Sequence, residues 1–552
     1  MAPSGWRSPS SPVPTSSREA PTLKPFLSPA PEVRLTRAFE APFANFLATA
    51  RTCYSPKGIV PDVVLDDRWA GLARSLYQAG HHTTLQHAQF QFSLANVSRH
   101  FIWAFLHSHP FYNSEQVSQR YVEVKPGHVT VPPLEGEALA RYRAAIERQM
   151  DDYGRLIELL VPVTTDAYHE RFPGRRSHPE KYAKEIRKRA QEVARYVLPV
   201  GTFAYLYHTV SGITLLRYAR LCEQVDASTE TRMVVRAMMD ALLEHDPDYA
   251  TILEEPLALE ATAEYRLLSG ATGGTGGTGG NGGQATNGRE TSRAAAFRDD
   301  FDRSLEGRVS RLVDWGSRNE EVLADAIREV LGEPREALSD DEAIDLALDP
   351  ARNPLLGEAL NLTTHGKLTR ALFHPHYTFR KKLSHAADSQ DQRHRMTPGS
   401  RPALTAHLSG DPDYVVPRLV RADPAALRAY RESMERTWED MIAVRRAGAP
   451  AEFAEYLLPN AVSVRFTESA DLLNLWHKHA MRLCYNAQEE IWQASVEEAA
   501  QIREVNPRIG RHLLPPCSIR HRAGQRPVCP EGTRFCGERV WTLEPEAWSR
   551  LI

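Results

Sequence analysis

The densest group of side chains capable of chemistry runs from Gly80 to Tyr121. It opens Gly80-His81-His82-Thr83-Thr84-Leu85-Gln86-His87, passes Val97-Ser98-Arg99, and closes Asn113-Ser114-Glu115-Gln116-Val117-Ser118-Gln119-Arg120-Tyr121. Arginine offers a forked, permanently charged donor for phosphate, while Ser and Gln orient a heterocycle by hydrogen bonds. The combination suits a phosphorylated, hydrogen-bonding ligand. By composition alone, a solvated loop with a helix-capping Ser and surface histidines is the competing reading. A second group lies near the C-terminus, where Cys517, Cys529 and Cys536 accompany His521. Three thiolates and an imidazole suit tetrahedral Zn²⁺. Pro515-Pro516, Gly524, Pro530-Glu531-Gly532 and Gly537 supply turns that could gather them. The intervals are longer than in common zinc sites, so three ordinary buried thiols are the alternative.

These groups need elements to hold them. Gln89–Val97 (QFQFSLANV) alternates apolar and polar residues and reads as a half-buried strand. Leu472, Trp476, Ala480, Leu483, Ala487 and Ile491 recur at three- and four-residue steps, which predicts one long helix. A counterpart after Thr209 carries Ile213, Leu216 and Ala219, and later Val234, Met238 and Leu242. Strands and helices in each half give an α+β class.

The chain has 552 residues, 42% hydrophobic and 25% charged, with formal net charge −3. At roughly 100–200 residues per domain, that is length for two or more cores. The charge balance leaves no basic footprint for nucleic acid. Polar residues interrupt every apolar run before the ~18 residues that would span a membrane. Six cysteines are too few for a disulfide scaffold. Residues 1–31, rich in Ser and Pro without an apolar signal core, read as a disordered tail. Gly270–Gly288 (GATGGTGGTGGNGGQATNG) cannot bury enough apolar surface to offset its ordering entropy, so residues 269–292 read as a tether. It separates a first domain, 32–268, from a second, 293–510, followed by a Cys-containing extension, 511–552. A cytoplasmic multi-domain enzyme is the expectation.

The two domains share an order of features. Ala194-Arg195-Tyr196-Val197-Leu198-Pro199 parallels Ala454-Glu455-Tyr456-Leu457-Leu458-Pro459, and the same register pairs Leu215 with Leu475 and Glu230 with Glu490. A weaker match pairs Ser118-Gln119-Arg120-Tyr121 with Asp391-Gln392-Arg393-His394. The pattern reads as a tandem duplication.

In this order the motifs resemble the flavin-dependent thymidylate synthases. Thr49-Ala50-Arg51-Thr52-Cys53-Tyr54 is similar to that family's early Ala-Ala-Arg-x-Cys-Tyr, and Gly80–His87 to its Gly-His-x-Ser/Thr-x-x-Glu-His. Ser98-Arg99 and Ser118–Tyr121 match the two ends of its central motif, Ala194–Pro199 its Ala-Arg-x-x-Leu-Pro, and Met481–Ile491 its final helix signature. Where the family carries Arg-His-Arg, this chain has His107-Ser108-His109 in the first half and Lys381-Lys382-Leu383 in the second. Two literal Arg-His-Arg triplets, Arg393–Arg395 and Arg520–Arg522, lack the family's following Ser and read as coincidences. Arg195 faces Glu455 in the second half, and Arg482 faces Cys222 in the first, so two incomplete halves could share one site.

The resemblance implies two tandem thymidylate synthase-like domains, the second degenerate. It implies reductive methylation of dUMP to dTMP with methylenetetrahydrofolate, FAD and NADPH. Arg120, Arg195 and Arg482 would bind phosphate and polarise the uracil, and Ser118 would hydrogen-bond the nucleotide, making Ser118 and Arg120 the catalytic pair. His81, Thr83, Glu115 and Gln116 would hold the flavin. A family tetramer would become a homodimer of tandem chains. The altered signature leaves two other readings open: a non-catalytic flavin- or nucleotide-binding homologue, and a same-fold flavoenzyme acting on another pyrimidine.

Overall fold

A computed structural model describes residues 24–61, 67–120, 122–223, 228–268, 285–408, 410–550 and 552. The expected strand over Gln89–Val97 is present as β2 (Gln89–Ser98). It pairs antiparallel with β1 (Glu32–Ala38) and with β4 (Phe203–Ser211), and β3 (Asn113–Gln116) lies on the far side of β4. The second half repeats this sheet without the β3 edge: β5 (Ser310–Trp315), β6 (His376–Ser384) and β7 (Ser463–Asp471), again antiparallel. Ser98 pairs with Phe203, and Ser384 with Ser463, at the same end of each sheet.

Both β2 and β6 end on a serine that starts a helix. Ser98 Oγ accepts from Phe101 N at 2.8 Å, and Ser384 Oγ accepts from Ala387 N at 3.0 Å. Such a cap satisfies a backbone donor that the helix cannot reach itself. Each serine also donates its hydroxyl to a buried glutamate, Ser98 to Glu230 at 2.6 Å and Ser384 to Glu490 at 2.7 Å. The pairing of Glu230 with Glu490 in the sequence register is thus a pairing of equivalent structural roles.

Among the described residues, three apolar cores carry the fold. One lies under the first sheet, around Phe43, Phe90, Phe101 and Met238. One lies under the second sheet, around Ile327, Tyr377, Leu475 and Trp492. The third is drawn from both halves, with Tyr142, Leu156 and Leu198 packed among Tyr430, Met434 and Leu458. Its scaffold is the helix Gly136–Arg171 packed on the helix Pro424–Arg446. The backbones exchange bonds there: Val200 N donates to Leu458 O at 2.7 Å and Asn460 N to Leu198 O at 2.8 Å. Gly201 N donates to Tyr456 O, and Ala461 N to Tyr196 O, both at 2.9 Å. A Cβ at Gly201 would lie 2.9 Å from the Tyr456 carbonyl oxygen, so this close approach requires glycine.

Three expectations are corrected. The helix expected through Leu472 to Ile491 is two helices, Leu472–Arg482 and Glu489–Val505. Gln488 caps the second by accepting from Ile491 N at 3.1 Å, so a new start signal interrupts an unbroken apolar face. The tail expected to end at residue 31 is packed from residue 24: Phe26 is buried and meets Phe453 and Tyr456 edge-on. The tether expected to reach residue 292 gives way to a helix at Ala285–Ser304, where alanines replace glycines. The glycine run itself lies outside the described residues.

Candidate nucleotide site

Arg120 sits where the halves meet. Its Nε donates to Glu192 Oε1 at 2.6 Å, on the helix Pro179–Ala194, and its Nη2 donates to the Asn486 carbonyl at 2.9 Å, in the turn after the helix Leu472–Arg482. Arg195, buried just past the same first-half helix, donates from Nε to the Glu192 carbonyl at 3.0 Å. Arg482 closes the second-half helix and donates to His394 Nε2 at 2.8 Å and to the Gln390 carbonyl at 2.9 Å. Arg99, first residue after the Ser98 cap, donates to Gln116 Oε1 at 2.9 Å and to the Val117 carbonyl. Arg393 faces Glu115 at 3.7 Å.

These guanidiniums strain against one another electrostatically. Burial, then the Arg195 and Arg393 charges, push Arg99 down to about 9. Burial likewise lowers Arg482 to about 10, with Arg120 and Arg393 adding to the fall and Asp391 opposing it. Burial also lowers Arg195, against the pull of Glu192. Burial, followed by the Arg482 charge, keeps His394 well below its ordinary range, which fits a neutral ring accepting from Arg482. Among the described residues, Arg99 Nε, Arg195 Nη2, Gln119 Nε2 and Gln390 Nε2 are buried donors without a hydrogen-bond partner. Unmet donors and crowded cations are both relieved by an anion with several acceptor oxygens.

The expected site residues fall in two places. Ser118, Arg120, Arg195, Arg482, Glu115 and Gln116 converge at this junction, Ser118 Oγ accepting from Arg120 N at 3.3 Å. Tyr121 lies outside the described residues. His81 and Thr83 are exposed, on and beside the short turn His82–Gln86 in the first half. His81 N donates to Leu76 O at 2.9 Å, and Leu76 lines a cavity of about 440 Å³ with Arg51, Tyr54, Lys57, Arg68 and Trp69. The Arg51 and Arg68 guanidiniums lie 4.3 and 4.9 Å from the Trp69 ring centre. Cations around an indole suit the phosphates and flat rings of a dinucleotide, so the residues present fit a flavin nucleotide.

The altered signature turns inward. His107 packs against Trp103 and lies 3.6 Å from Asp388, while His109 Nε2 meets the Tyr218 hydroxyl at 2.8 Å. Burial pushes both imidazoles down to about 4. The triplet Arg393-His394-Arg395, expected to be a coincidence, lies at the junction instead. Besides the contacts of Arg393 and His394, Arg395 donates to Asn113 Oδ1 at 3.0 Å. The signal for it was present in the pairing of Gln119-Arg120 with Gln392-Arg393.

The expected zinc site is corrected. Among the described residues no group of three or more His, Cys, Asp or Glu side chains is placed to hold a metal ion. Cys517, Cys529 and Cys536 line a small cavity with Cys484, but His521 is exposed on the helix Pro516–Arg522. Burial, followed by the neighbouring thiols, pushes the Cys517 thiol up to about 12, and burial raises the Cys484 thiol to about 11.

A further cavity of about 350 Å³ opens beside Arg120, between the helix Pro179–Ala194, the turn at residues 485–489 and the C-terminal extension. Residues 34–248 and 311–508 each match the family described as thymidylate synthase complementing protein. The chain belongs to that family. Each match spans one sheet and its helices, and together they contain all the arginines of the junction. The extension, with its cysteines, lies outside them. Among relatives, a flavin-dependent thymidylate synthase of Geobacter sulfurreducens is 31% identical over 171 residues, 30% of this chain and 70% of that protein. One from Sulfurisphaera tokodaii is 29% identical over 153 residues, covering 27% of this chain and 58% of its own length. A solved UMP/dUMP methylase from Streptomyces cacaoi, bound with 5-Br dUMP, is 22% identical with a TM-score of 0.30, over 40% of this chain and 93% of that one.

Proposed function

We propose that the protein is a flavin-dependent thymidylate synthase, methylating dUMP reductively to dTMP with methylenetetrahydrofolate, FAD and NADPH. The observation that carries the reading is the meeting of Arg120 and Arg195 from one half with Arg482 from the other, inside the stretches matched to the family. These three would grip the phosphate and polarise the uracil carbonyls, and Ser118 would hydrogen-bond the nucleotide. His81 and Thr83, beside the Arg51, Arg68 and Trp69 cavity, would hold one part of the flavin, and Glu115 and Gln116, at the junction, the part that meets the nucleotide. When bound, the flavin supplies the hydride, and the side chains supply placement and charge. Assembly as a homodimer and action in the cytoplasm belong to the same proposal; among the described residues no helix is long and apolar enough to cross a membrane.

The inward packing of His107 and His109 favours a second reading, a non-catalytic flavin- or nucleotide-binding homologue. One experiment separates them. Purified protein should carry flavin absorbance near ~450 nm, since bound cofactor keeps its own chemistry, and should form dTMP from dUMP, methylenetetrahydrofolate and NADPH. Flavin and dUMP binding without turnover would establish the second reading. Colourless protein that excess FAD cannot reconstitute would defeat both.

A further inference from the structure

The extension beyond the family match is built into the cavity beside Arg120. Its Arg534, Arg550 and Ile552 line the wall opposite the helix Pro179–Ala194. Asn486 joins the two sides: its carbonyl accepts from Arg120 at 2.9 Å, and its side chain donates to the Arg534 carbonyl at 2.6 Å. Arg550 Nη1 donates to the Ala487 carbonyl at 2.7 Å, and Ser549 N donates to the Tyr485 hydroxyl at 3.0 Å. Arg171 fastens the far end, donating to Ile552 O at 2.6 Å.

The charges of the wall do not cancel. Glu192 pairs with Arg120, Glu185 with Arg189, Glu531 with Arg534 and Glu489 with Arg418. Among the described residues no carboxylate lies within 4.0 Å of the Arg550 guanidinium, and its buried Nε has no hydrogen-bond partner. A cation taken out of water with a donor unmet is costly unless a ligand completes it. Burial lowers Arg550 to about 10, Glu192 and Glu489 opposing and Arg171 and Arg120 reinforcing the fall. At about 350 Å³ the space matches the lower range of small-molecule pockets.

We propose that the extension, through Arg534, Arg550 and Ile552, forms part of the ligand site and that Arg550 is a phosphate-binding residue which the extension adds to Arg120. The inference rests on the nucleotide reading above. It makes the extension a determinant of specificity for the phosphorylated substrate. Removing the whole segment is not a fair test, because Ile519, Val540 and Trp548 belong to the second-half core.

The test uses the full chain with its flavin, titrated with dUMP and with deoxyuridine, which lacks the phosphate. Arg550→Gln should weaken dUMP binding about tenfold or more, as the loss of one charge-assisted bond predicts, and leave deoxyuridine binding unchanged. Arg550→Met, which keeps the stem beside Trp492, serves if the first variant unfolds. Equal dUMP affinity in wild type and a folded variant overturns the inference alone, as does an equal loss for both ligands, which marks a structural role. Wild type that binds no dUMP overturns the nucleotide reading, and the inference with it.

Discussion

The Tyr456 hydroxyl donates to Glu230 Oε2 at 2.8 Å, reaching from the second half of the chain to the glutamate that holds the Ser98 cap of the first. Tyr196 returns the bond in the opposite direction, to Glu490 Oε2, also at 2.8 Å. Each half therefore completes the polar core of the other. Burial raises the pKa of both glutamates, with the serine bonds opposing the shift. Tyr456→Phe removes one donor from buried Glu230 and should destabilise the protein by about 1–3 kcal/mol, read from urea unfolding. Unchanged stability would mean that this hydroxyl contributes nothing to joining the halves.

Glu490 carries a pH signature. Burial pushes its carboxyl from 4.5 up to about 7. Between those values the unfolded chain releases its proton while the folded one keeps it, so stability falls as pH rises through the window and levels above it. The full difference is about 3 kcal/mol at most, at 1.36 kcal/mol per pH unit. Glu490→Gln should remove that slope. Unfolding free energies of both proteins from pH 4.5 to 8 check it, and parallel curves would refute it.

The arginines of the junction should act together. Arg195→Ala and Arg482→Ala are each expected to weaken dUMP binding about tenfold or more. The double variant should lose less than the sum, because groups on one ligand couple. Strict additivity would mean two independent half-sites.

The second half hides an ionic cluster. Lys478 lies 3.0 Å from Asp391 and also contacts Glu468, and Lys381 lies 2.8 Å from Glu468 and 2.7 Å from Glu498, all buried. In the repeat register, Lys478 and Glu468 correspond to Tyr218 and His208, a neutral hydrogen-bonded pair at 3.0 Å in the first half. Lys478→Met leaves Asp391 and Glu468 to Lys381 and Arg401 alone and should destabilise by up to about 3–5 kcal/mol, the cost of a broken buried pair, measured by chemical denaturation. The second half therefore diverges in its core as well as at the junction.

The strand β2, the Arg195/Glu455 pairing and the Glu230/Glu490 pairing were legible because each rests on local alternation or a contiguous match. The break between Arg482 and Glu489 was not, because the apolar residues from Leu472 to Ile491 are buried apart from exposed Met481 and half-buried Cys484. Apolar periodicity reports burial, and here two successive helices bury the same stripe. The importance of Arg393–Arg395 was also hidden. The triplet lacks the spacing of the family motif, and only tertiary packing brings it to Arg482 within its own half and to Glu115 across the halves. Arg550 was out of reach, since neither period nor motif says that a segment after residue 510 folds back onto Arg120.

The bond exchange at Pro199 and Pro459 joins two positions that, in an assembly of identical subunits, would have to change in step. Here they are encoded separately. Position 195 holds a cation at the arginine junction, and position 455 holds a carboxylate 3.7 Å from His100. A substitution in a symmetric assembly is tested at every copy at once, so a harmful effect at one copy vetoes a useful effect at another. Joined in one chain, each copy is answerable only for its own surroundings. Position 195 is then free to serve the proposed ligand while position 455 serves as structural support.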